Sequence, residues 1–469
     1  MSSELTGDSL KQERELMDSV RKLHPEMLER LEPPDQNLIL GKIGVTFLSN
    51  SRPKGYLRLY PQDFIVQEVM KDGTIVPLVE SQPFQDAEDR RTLWADLIKA
   101  CISHPHAMTD LQRAFNLDAG QVGYAGIKDA VALTSQRITL RGVTREQAEA
   151  LSLPQMEIRP TSYGSGALQP SDLMGNRFTL VVRTQSGALR DDDFKVLQEK
   201  GFLNFFGSQR FGSRLVSHKM GQKLLQGDID GALLLFFGEV GPFDVPLFRD
   251  IRQGLTNLFG DWDAMESLVS RFPHTLHNEL KVLRALKRDP RKTKMALGEI
   301  RDQVKMWIYA YGSWLVNRRM SQAAERGETL PETIPLPLNS KGPIPDYEEF
   351  MKNDQTLDYL AGMRAFPYVL PADKPLQVRM KPEGLRWKQI PQGYIVRFAL
   401  GKGAYATSFL SHLFQLYESR PVPEWVQKEE VDSFVEMGDG SLEKLKERFA
   451  PILVRRDVLP PNKEEEEIS

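Results

Sequence analysis

Cysteine is nearly absent from this chain of 469 residues, which contains only Cys101. A single cysteine excludes a disulfide within the chain and a zinc site built on several cysteines, so we expect a reducing compartment. Cys101 itself is expected to be a small core residue. No apolar run reaches the 18 residues that a membrane helix needs, and the N-terminus lacks the apolar core of a signal peptide. These absences predict a soluble, intracellular protein.

The composition is that of a globular protein, with 41% hydrophobic and 27% charged residues. The length predicts two or three domains. The net charge of −3 leaves nucleic-acid binding open, because charges of opposite sign can be segregated.

The most informative stretch runs from Gly123 to Gln136. Gly123 and Gly126 predict a turn where the backbone can approach a ligand closely. Asp129 follows beside Lys128, and apolar residues then alternate as in a half-buried strand. A carboxylate on a loop at the mouth of a strand suits catalysis. Such an Asp also commonly does no more than stabilise its own turn, so the residues alone leave both roles open.

A second segment, residues 204–212, places three aromatic rings, Asn204 and Arg210 between glycines. Aromatic faces stack on unpaired bases, and an amide can bond to a base edge or an RNA hydroxyl. An aromatic-filled turn is the equal alternative. Further along, residues 281–294 carry seven Lys or Arg against one Asp. Such a run is usually a solvated face, but it is also the clearest basic concentration that could bind phosphate.

Periodicity and turn residues predict several further elements. The predicted strands are one through Phe64 and Val66 after a turn at Pro61, one at 173–183, and one from Tyr394 that leads through a Gly-Lys-Gly turn into a helix. The predicted helices are two pieces of Ser9 to Leu31 broken at Pro25, one at 92–103, one at 109–115 capped by Thr109, and an aromatic one at 306–318.

Five segments, in order, resemble the TruD family of RNA pseudouridine synthases. Six fixed residues over eleven positions carry the main resemblance, to the family's catalytic signature: Gly126, Lys128, Asp129, Ala132, Thr134 and Gln136. The others are Arg58 with Phe64 and Glu68, residues 175–178, residues 204–212, and Gly403 with Tyr405, Ala406 and Thr407. Arg58 stands where the family usually has Lys, which keeps the charge but replaces a point donor by a planar fork.

The resemblance implies an α+β fold with a mixed, largely antiparallel sheet of pseudouridine synthase type and a helix-rich inserted domain. We accordingly expect a helical extension at residues 1–50, a catalytic domain at 51–230 and 376–460, the insertion at 231–375, and an acidic disordered tail at 461–469.

The resemblance also implies roles for particular residues. Asp129 is the expected catalytic anion, paired with Arg58, while neighbouring Lys128 points away from it. Phe206 is expected to stack on the target uracil and Asn204 to order the active-site loop. Phe64 and Glu68 complete the expected active-site support. Independently of the resemblance, we expect RNA binding by Lys287, Arg288, Arg291 and Lys292 of the basic run and by Arg210 of the aromatic segment. Asn176 and Arg177 are expected either to contact RNA phosphate or to brace the active loop.

The implied reaction isomerises a uridine of RNA, first of all tRNA at a D-arm uridine of U13 type, without metal or cofactor. We expect a monomer with RNA as partner and no membrane association, located in the cytoplasm or, in a eukaryote, also the nucleus. One alternative is a non-catalytic RNA-binding or RNA-folding homologue of the same fold. Another is a carboxylate-dependent hydrolase, which needs a second carboxylate near Asp129, and Glu68 is the candidate.

Overall fold

The computed structural model describes residues 7–30, 33–85, 91–164, 166–185, 188–418 and 420–458. Two compact units account for the chain. The helical unit comprises Met1–Asn50 and Leu203–Arg379, and the sheet unit comprises Ser51–Phe202 and Met380–Ser469. The domain boundaries expected after residues 230 and 375 therefore differ from the unit boundaries, which follow residues 202 and 379. Leu31 and the expected tail at 461–469 lie outside the described residues.

The helices follow one another in this order: α1 (Gly7–Leu23), α2 (Gln36–Lys42), α3 (His104–Phe115), α4 (Arg145–Ala150), α5 (Asp191–Lys200), α6 (Ser217–Leu225), α7 (Ile229–Gly238), α8 (Pro246–Asn257), α9 (Trp262–Val269), α10 (His277–Arg288), α11 (Thr293–Leu297), α12 (Arg301–Glu325), α13 (Pro345–Asn353), α14 (Tyr359–Arg364), α15 (Ala406–Ser411), α16 (Ser433–Met437) and α17 (Glu443–Arg448). Short 3₁₀ turns include Pro25–Met27, Pro61–Asp63 and Ser208–Phe211.

The strands are β1 (Lys54–Tyr56), β2 (Phe64–Met70), β3 (Thr92–Ala100), β4 (Val122–Tyr124), β5 (Leu133–Arg141), β6 (Met156–Gly164), β7 (Leu173–Arg183), β8 (Phe202–Leu203), β9 (Thr333–Ile334), β10 (Leu376–Gln377), β11 (Arg379–Met380), β12 (Glu383–Ile390), β13 (Gly393–Gly401) and β14 (Gln415–Tyr417).

One mixed sheet organises the sheet unit, in the order β12-β13-β7-β2-β5-β3-β6. Neighbours along this path are antiparallel except β2 and β5, which are parallel. Strand β4 adds to β5, and β1 joins β7 to the parallel β14. The expected α+β class with a largely antiparallel mixed sheet is confirmed.

Both faces of this sheet are buried, and the alternation along β2 illustrates how. Phe64 and Val66 pack into one core cluster together with Phe178. Ile65, between them, packs on the opposite face with Leu133. Since successive strand residues point to opposite faces, a doubly covered strand reads as a continuous apolar run.

The helix predicted at 92–103 is wrong, because this segment is strand β3 up to Ala100. Leu93 and Leu97 pack on one face of the sheet, and Ile98 packs on the other. Apolar pairs four residues apart, produced by burial on both faces, imitate the spacing of an amphipathic helix. Strand β3 instead pairs with both β5 and β6.

The helix predicted at 109–115 exists but begins earlier, at His104, and Thr109 is not its cap. Ser103 occupies the N-cap position, and its hydroxyl accepts from the His106 N–H. The Thr109 hydroxyl donates to the Pro105 carbonyl at 2.9 Å, as in a helix interior.

Of the two helical pieces predicted on either side of Pro25, only the first is an α-helix, because the second is the three-residue 3₁₀ turn Pro25–Met27. The remaining predicted elements are confirmed. Strands β2, β5, β7 and β13 cover the predicted stretches, and α15 follows the Gly-Lys-Gly turn. In the helical unit α1 ends before Pro25, and α12 contains the predicted aromatic helix with Trp307 and Tyr311 buried. Cys101 is buried, as expected. Across the described ranges, every helix is too short or too polar to cross a bilayer.

Candidate active site

Asp129 lies on the loop between β4 and β5 in the sheet unit, and its carboxylate faces Arg58. Arg58 Nη2 donates to Asp129 Oδ1 at 3.3 Å, and Nη1 donates to Glu418 Oε2 at 2.5 Å. The Asp129 side chain is 32% exposed, whereas Arg58 is almost fully buried. A buried cation is thus paired with a carboxylate that is still partly open to solvent.

The backbone of Arg58 is unusual, with a left-handed φ of 57°. Left-handed geometry costs a non-glycine residue about 1–2 kcal/mol. Its guanidinium stacks on Phe64, with Cζ 3.7 Å from the ring centroid. Phe64, at the start of β2, thus supports the cation from one side. The structure brings together three of the predicted site residues here: Arg58, Phe64 and Asp129.

Lys128 points away from Asp129, as predicted, and enters a buried ion pair. Its Nζ donates to Glu68 Oε1 at 2.5 Å, and the other Glu68 oxygen accepts from the Arg137 N–H at 2.9 Å. Arg137 in turn pairs with Asp96 at 2.6 Å, and burial raises the pKa of Asp96 against the pull of that cation. Glu68 is fully buried with both oxygens bonded. It therefore braces the loop and does not serve as the second carboxylate that a hydrolase needs.

The glycines of this loop are required by close packing within the protein. A Cβ at Gly126 would lie 2.8 Å from Lys128 Nζ and 3.0 Å from Leu173 Cδ2. A Cβ at Gly123, inside β4, would overlap the Thr139 hydroxyl. The Gly126 carbonyl accepts a hydrogen bond from Gln136 Nε2 at 3.4 Å. Gln136, the last residue of the signature, therefore stabilises the backbone of Gly126, the first. In this structure the backbone at Gly123 and Gly126 closely approaches side chains of neighbouring strands.

Two buried groups behind the loop were not predicted from the sequence. Lys99, near the end of β3, donates from Nζ to the main-chain oxygens of Asp129 and Ile102. Burial lowers the pKa of Lys99 to about 8, although the Asp129 charge opposes the shift. Burial, with the charges of Lys99 and Lys128, lowers the pKa of His104 to about 4. If residues 92–100 are taken as a strand, the alternation of its side chains places Lys99 on the same face as Thr134.

Asn176 and Arg177 lie on β7 beside β2. Asn176 is opposite Glu68 in the strand register. Arg177 donates through Nε and Nη2 to Gln67 Oε1, at 3.1 and 2.7 Å, and burial lowers its pKa. These contacts favour a bracing role for Arg177 over the predicted contact with RNA phosphate.

The aromatic segment belongs to the helical unit, where it precedes and includes the 3₁₀ turn Ser208–Phe211. Asn204 Nδ2 donates to the Gln377 carbonyl at 3.3 Å. The Arg210 guanidinium lies over the Phe206 ring, 5.3 Å from its centroid. Asn317 on α12 accepts from the Phe206 N–H at 2.8 Å and donates to its carbonyl at 2.9 Å. One buried amide therefore fixes the backbone of Phe206 from both sides, which the sequence did not indicate.

Each of the four predicted RNA-binding cations of the basic run has a carboxylate partner. Lys287, at the end of α10, contacts Asp263 at 2.9 Å and Glu266 at 2.7 Å. Arg288 contacts Glu299, while Arg291 and Lys292 contact Asp289. Exposed pairs of this kind contribute less than about 1 kcal/mol, so phosphate can compete for them.

Metal ligation finds no support in the described part of the chain, where no three His, Cys, Asp or Glu side chains gather as ligands would. The chemistry on offer is that of the partly exposed Asp129 carboxylate, the buried Arg58 cation that Asp129 shares with Glu418, and a polar scaffold behind the loop.

Comparison with solved structures identifies the fold. The crystal structure of a Methanosarcina mazei protein assigned as tRNA pseudouridine synthase D matches with a TM-score of 0.63 and 21% identity. The match covers 80% of this chain and 97% of that one. The two chains thus share one fold.

Sequence comparison identifies the family. The profile of tRNA pseudouridine synthase D (TruD) matches residues 43–340. A probable tRNA pseudouridine synthase D of Thermococcus sibiricus is 26% identical over 436 residues, 79% of this chain and 97% of that protein. A tRNA pseudouridine synthase D of Syntrophotalea carbinolica is 30% identical over 280 residues, 59% of this chain and 66% of that protein. The chain belongs to the TruD family of tRNA pseudouridine synthases, a family of isomerases.

Proposed function

We propose that this protein converts a D-arm uridine of U13 type in tRNA to pseudouridine, with Asp129 as the catalytic anion. The observation that carries the proposal is the pairing of the open Asp129 carboxylate with buried Arg58 at 3.3 Å. Family membership supports the reaction class, and the signature residues around Asp129 support its role.

The reaction breaks the bond from uracil N1 to ribose C1′ and rejoins C1′ to C5 after the base has turned. C5 loses a proton and N1 gains one, so the product is an isomer and no redox partner enters. Asp129 acts in its ionised form, either attacking the sugar or base or removing the C2′ proton. Both routes require the charge that Arg58 stabilises.

The target base lies within a polynucleotide and has to leave its stack, which costs a few kcal/mol. Stacking on an aromatic ring returns about 1–3 kcal/mol per base. Phe206 is the proposed platform, with its backbone fixed by Asn317 and its ring backed by Arg210. Asn204 is proposed to order the loop that faces the RNA.

The decisive experiment compares Asp129→Asn with wild type on transcribed tRNA, with pseudouridine mapped by position. We expect the single-turnover rate constant to fall by at least about 100-fold, since a positioned acid–base group contributes that much or more. RNA affinity should stay near wild type, because Asn is almost isosteric.

Asp110→Asn is the matched control, because Asp110 is a partly exposed carboxylate of the same unit that pairs only weakly with Arg113. It should react normally. An RNA that carries cytidine at the target position should accumulate no pseudouridine there. Product from the Asp129→Asn protein would contradict the role of Asp129, and tight binding without any product from wild type would favour the RNA-folding homologue.

A further inference from the structure

Lys99 is a fully buried lysine that the proposed reaction does not yet use. It lies one residue before the end of β3 and opposite Thr134 of β5, so the two side chains share one face of the sheet. Its ammonium reaches the Ile102 carbonyl at 2.9 Å and also the carbonyl of Asp129 itself. The catalytic loop is thus tethered by its central residue.

The tether belongs to a two-point attachment. After β3 the chain turns at Cys101, whose φ of 50° is left-handed, and then enters α3. The Cys101 N–H donates to the Ala132 carbonyl at 3.2 Å. Lys99 therefore bonds both to Ile102, in the segment between β3 and α3, and to Asp129 in its loop. The same β3–α3 segment also bonds, through Cys101, to the residues that follow Asp129.

A charge at this position is unusual for a purely structural link. A buried ammonium loses its hydration, and burial lowers the pKa of Lys99 to about 8. Within the described ranges no carboxylate forms a salt bridge with Lys99, and Glu68 is already paired with Lys128. The charged groups that act on Lys99 are Asp129, which favours its ammonium form, and Lys128, which opposes it. The Cys101 thiol acts in the same sense as Asp129, and His104 lies close enough to respond to the Lys99 charge.

We propose that protonated Lys99 is a positioning residue that fixes the main chain of Asp129 and holds positive potential behind its carboxylate. This role rests on Asp129 being the catalytic anion. Lys99 contacts the loop from inside the protein and touches no substrate. Its loss would let the carboxylate drift from the place that Arg58 defines, and displacement by about 1 Å can cost about 100-fold in rate.

The test uses Lys99→Met, which keeps an unbranched apolar side chain of similar size but removes the charge and both hydrogen bonds. At neutral pH we expect the single-turnover rate constant to fall by about 100-fold with unchanged affinity for tRNA. The matched control is Ser135→Ala, because the Ser135 hydroxyl donates to the buried Val76 carbonyl at 2.8 Å from the other face of β5. That variant loses a buried hydrogen bond of the same sheet and should react within twofold of wild type.

Measuring the rate constants over a range of pH distinguishes an effect of the Lys99 charge from an effect of its packing alone. The ratio of wild-type to Lys99→Met rate constants should fall as the pH rises through about 8, where wild-type Lys99 loses its proton. Taking the ratio cancels any titration of the RNA. Should Lys99→Met fail to fold, as judged by its melting curve, Lys99→Gln supplies an uncharged donor for the same measurements.

Rates within threefold of wild type in the folded variant, or a ratio independent of pH, would overturn the proposal. Running Asp129→Asn in parallel keeps the two hypotheses apart. An active Asp129→Asn protein contradicts the proposed function, whereas an inactive one together with an active Lys99→Met protein contradicts only the role of Lys99.

Discussion

The guanidinium of Arg58 lies over the ring of Phe64, with Cζ 3.7 Å from the ring centroid, and its two arms reach Asp129 and Glu418. The ring supports the plane of the cation through a cation–π contact. A lysine has no planar fork and would not hold two carboxylates in this way. The fork of Arg58 therefore links Asp129 and Glu418 through one cation.

Arg58→Met should slow the single-turnover reaction by about 10–100-fold, because a charge-assisted hydrogen bond contributes about 1.5–3 kcal/mol. Arg58→Lys should recover most of this rate, since a point charge still serves Asp129. Rate constants at saturating tRNA measure both. Glu418→Gln is the control, since the exposed Glu418 leaves the contact to Asp129 intact and should change the rate less than threefold. Equal losses in Arg58→Met and Glu418→Gln would contradict a specific role for the Asp129 arm.

The basic run gives a second prediction. Replacing Lys287, Arg288, Arg291 and Lys292 together by Gln should weaken tRNA binding and reduce the slope of log affinity against log salt by about 3, if each contacts a phosphate. The rate constant at saturating tRNA should hardly change. Binding isotherms at several salt concentrations measure the slope.

The control for charge alone replaces four other exposed cations of the helical unit, Arg326, Lys341, Lys352 and Arg364, by Gln. It should leave affinity and slope closer to wild type. If both sets have the same small effect, the four cations serve only their partners Asp263, Glu266, Glu299 and Asp289.

The sequence predicted the elements whose periodicity is simple and missed those that depend on contacts distant along the chain. Strands β7 and β13 and helix α12 have clear local patterns. Strand β3 has helix-like apolar spacing because it is covered on both faces, so its sequence does not show which way the Lys99 side chain points. Arg58 and Glu418 are 360 residues apart along the chain, and no local pattern links them. Asn317 looks like any polar residue of a helix until α12 is placed beside Phe206.

His104 gives a prediction on pH and stability. Its folded-state pKa of about 4 lies below its ordinary value near 6.5, so between these pH values the unfolded chain binds more protons. The stability that neutral His104 contributes is therefore present above about pH 6.5 and is lost as the pH falls toward 4. Between pH 7 and 4.5 this loss amounts to about 2 kcal/mol.

His104→Phe keeps a ring against Tyr124, whose centroid lies 4.3 Å from that of His104. It should reduce the drop in unfolding free energy between pH 7 and 4.5 by about 2 kcal/mol, as measured by urea unfolding. His106→Phe, on the exposed side of the same helix, is the control. A drop in His104→Phe as large as in wild type would mean that other groups account for the acid sensitivity.

The two adjacent rings of the aromatic segment give the last prediction. Phe205 is 2% exposed and meets the edge of Phe47 with 6.0 Å between centroids, whereas Phe206 is 9% exposed and lies under Arg210. Truncating Phe205 to Ala should cost about 3–5 kcal/mol of stability. Phe206 is also largely buried, so Phe206→Ala should lose stability too, and melting temperature alone will not separate the roles.

Leucine separates them, because it keeps apolar volume and removes only the aromatic face. Phe206→Leu should melt close to wild type but react about tenfold to 100-fold more slowly, as the loss of about 1–3 kcal/mol of base stacking requires. Phe205→Leu should react normally, with a modest drop in melting temperature, and Phe206→Tyr should keep both stability and rate. Because Asn317 holds the Phe206 backbone in every variant, a rate change in Phe206→Leu reports on the ring itself. A wild-type rate in Phe206→Leu would mean that the flipped base finds its platform elsewhere, and a slow Phe205→Leu beside it would assign that platform to Phe205.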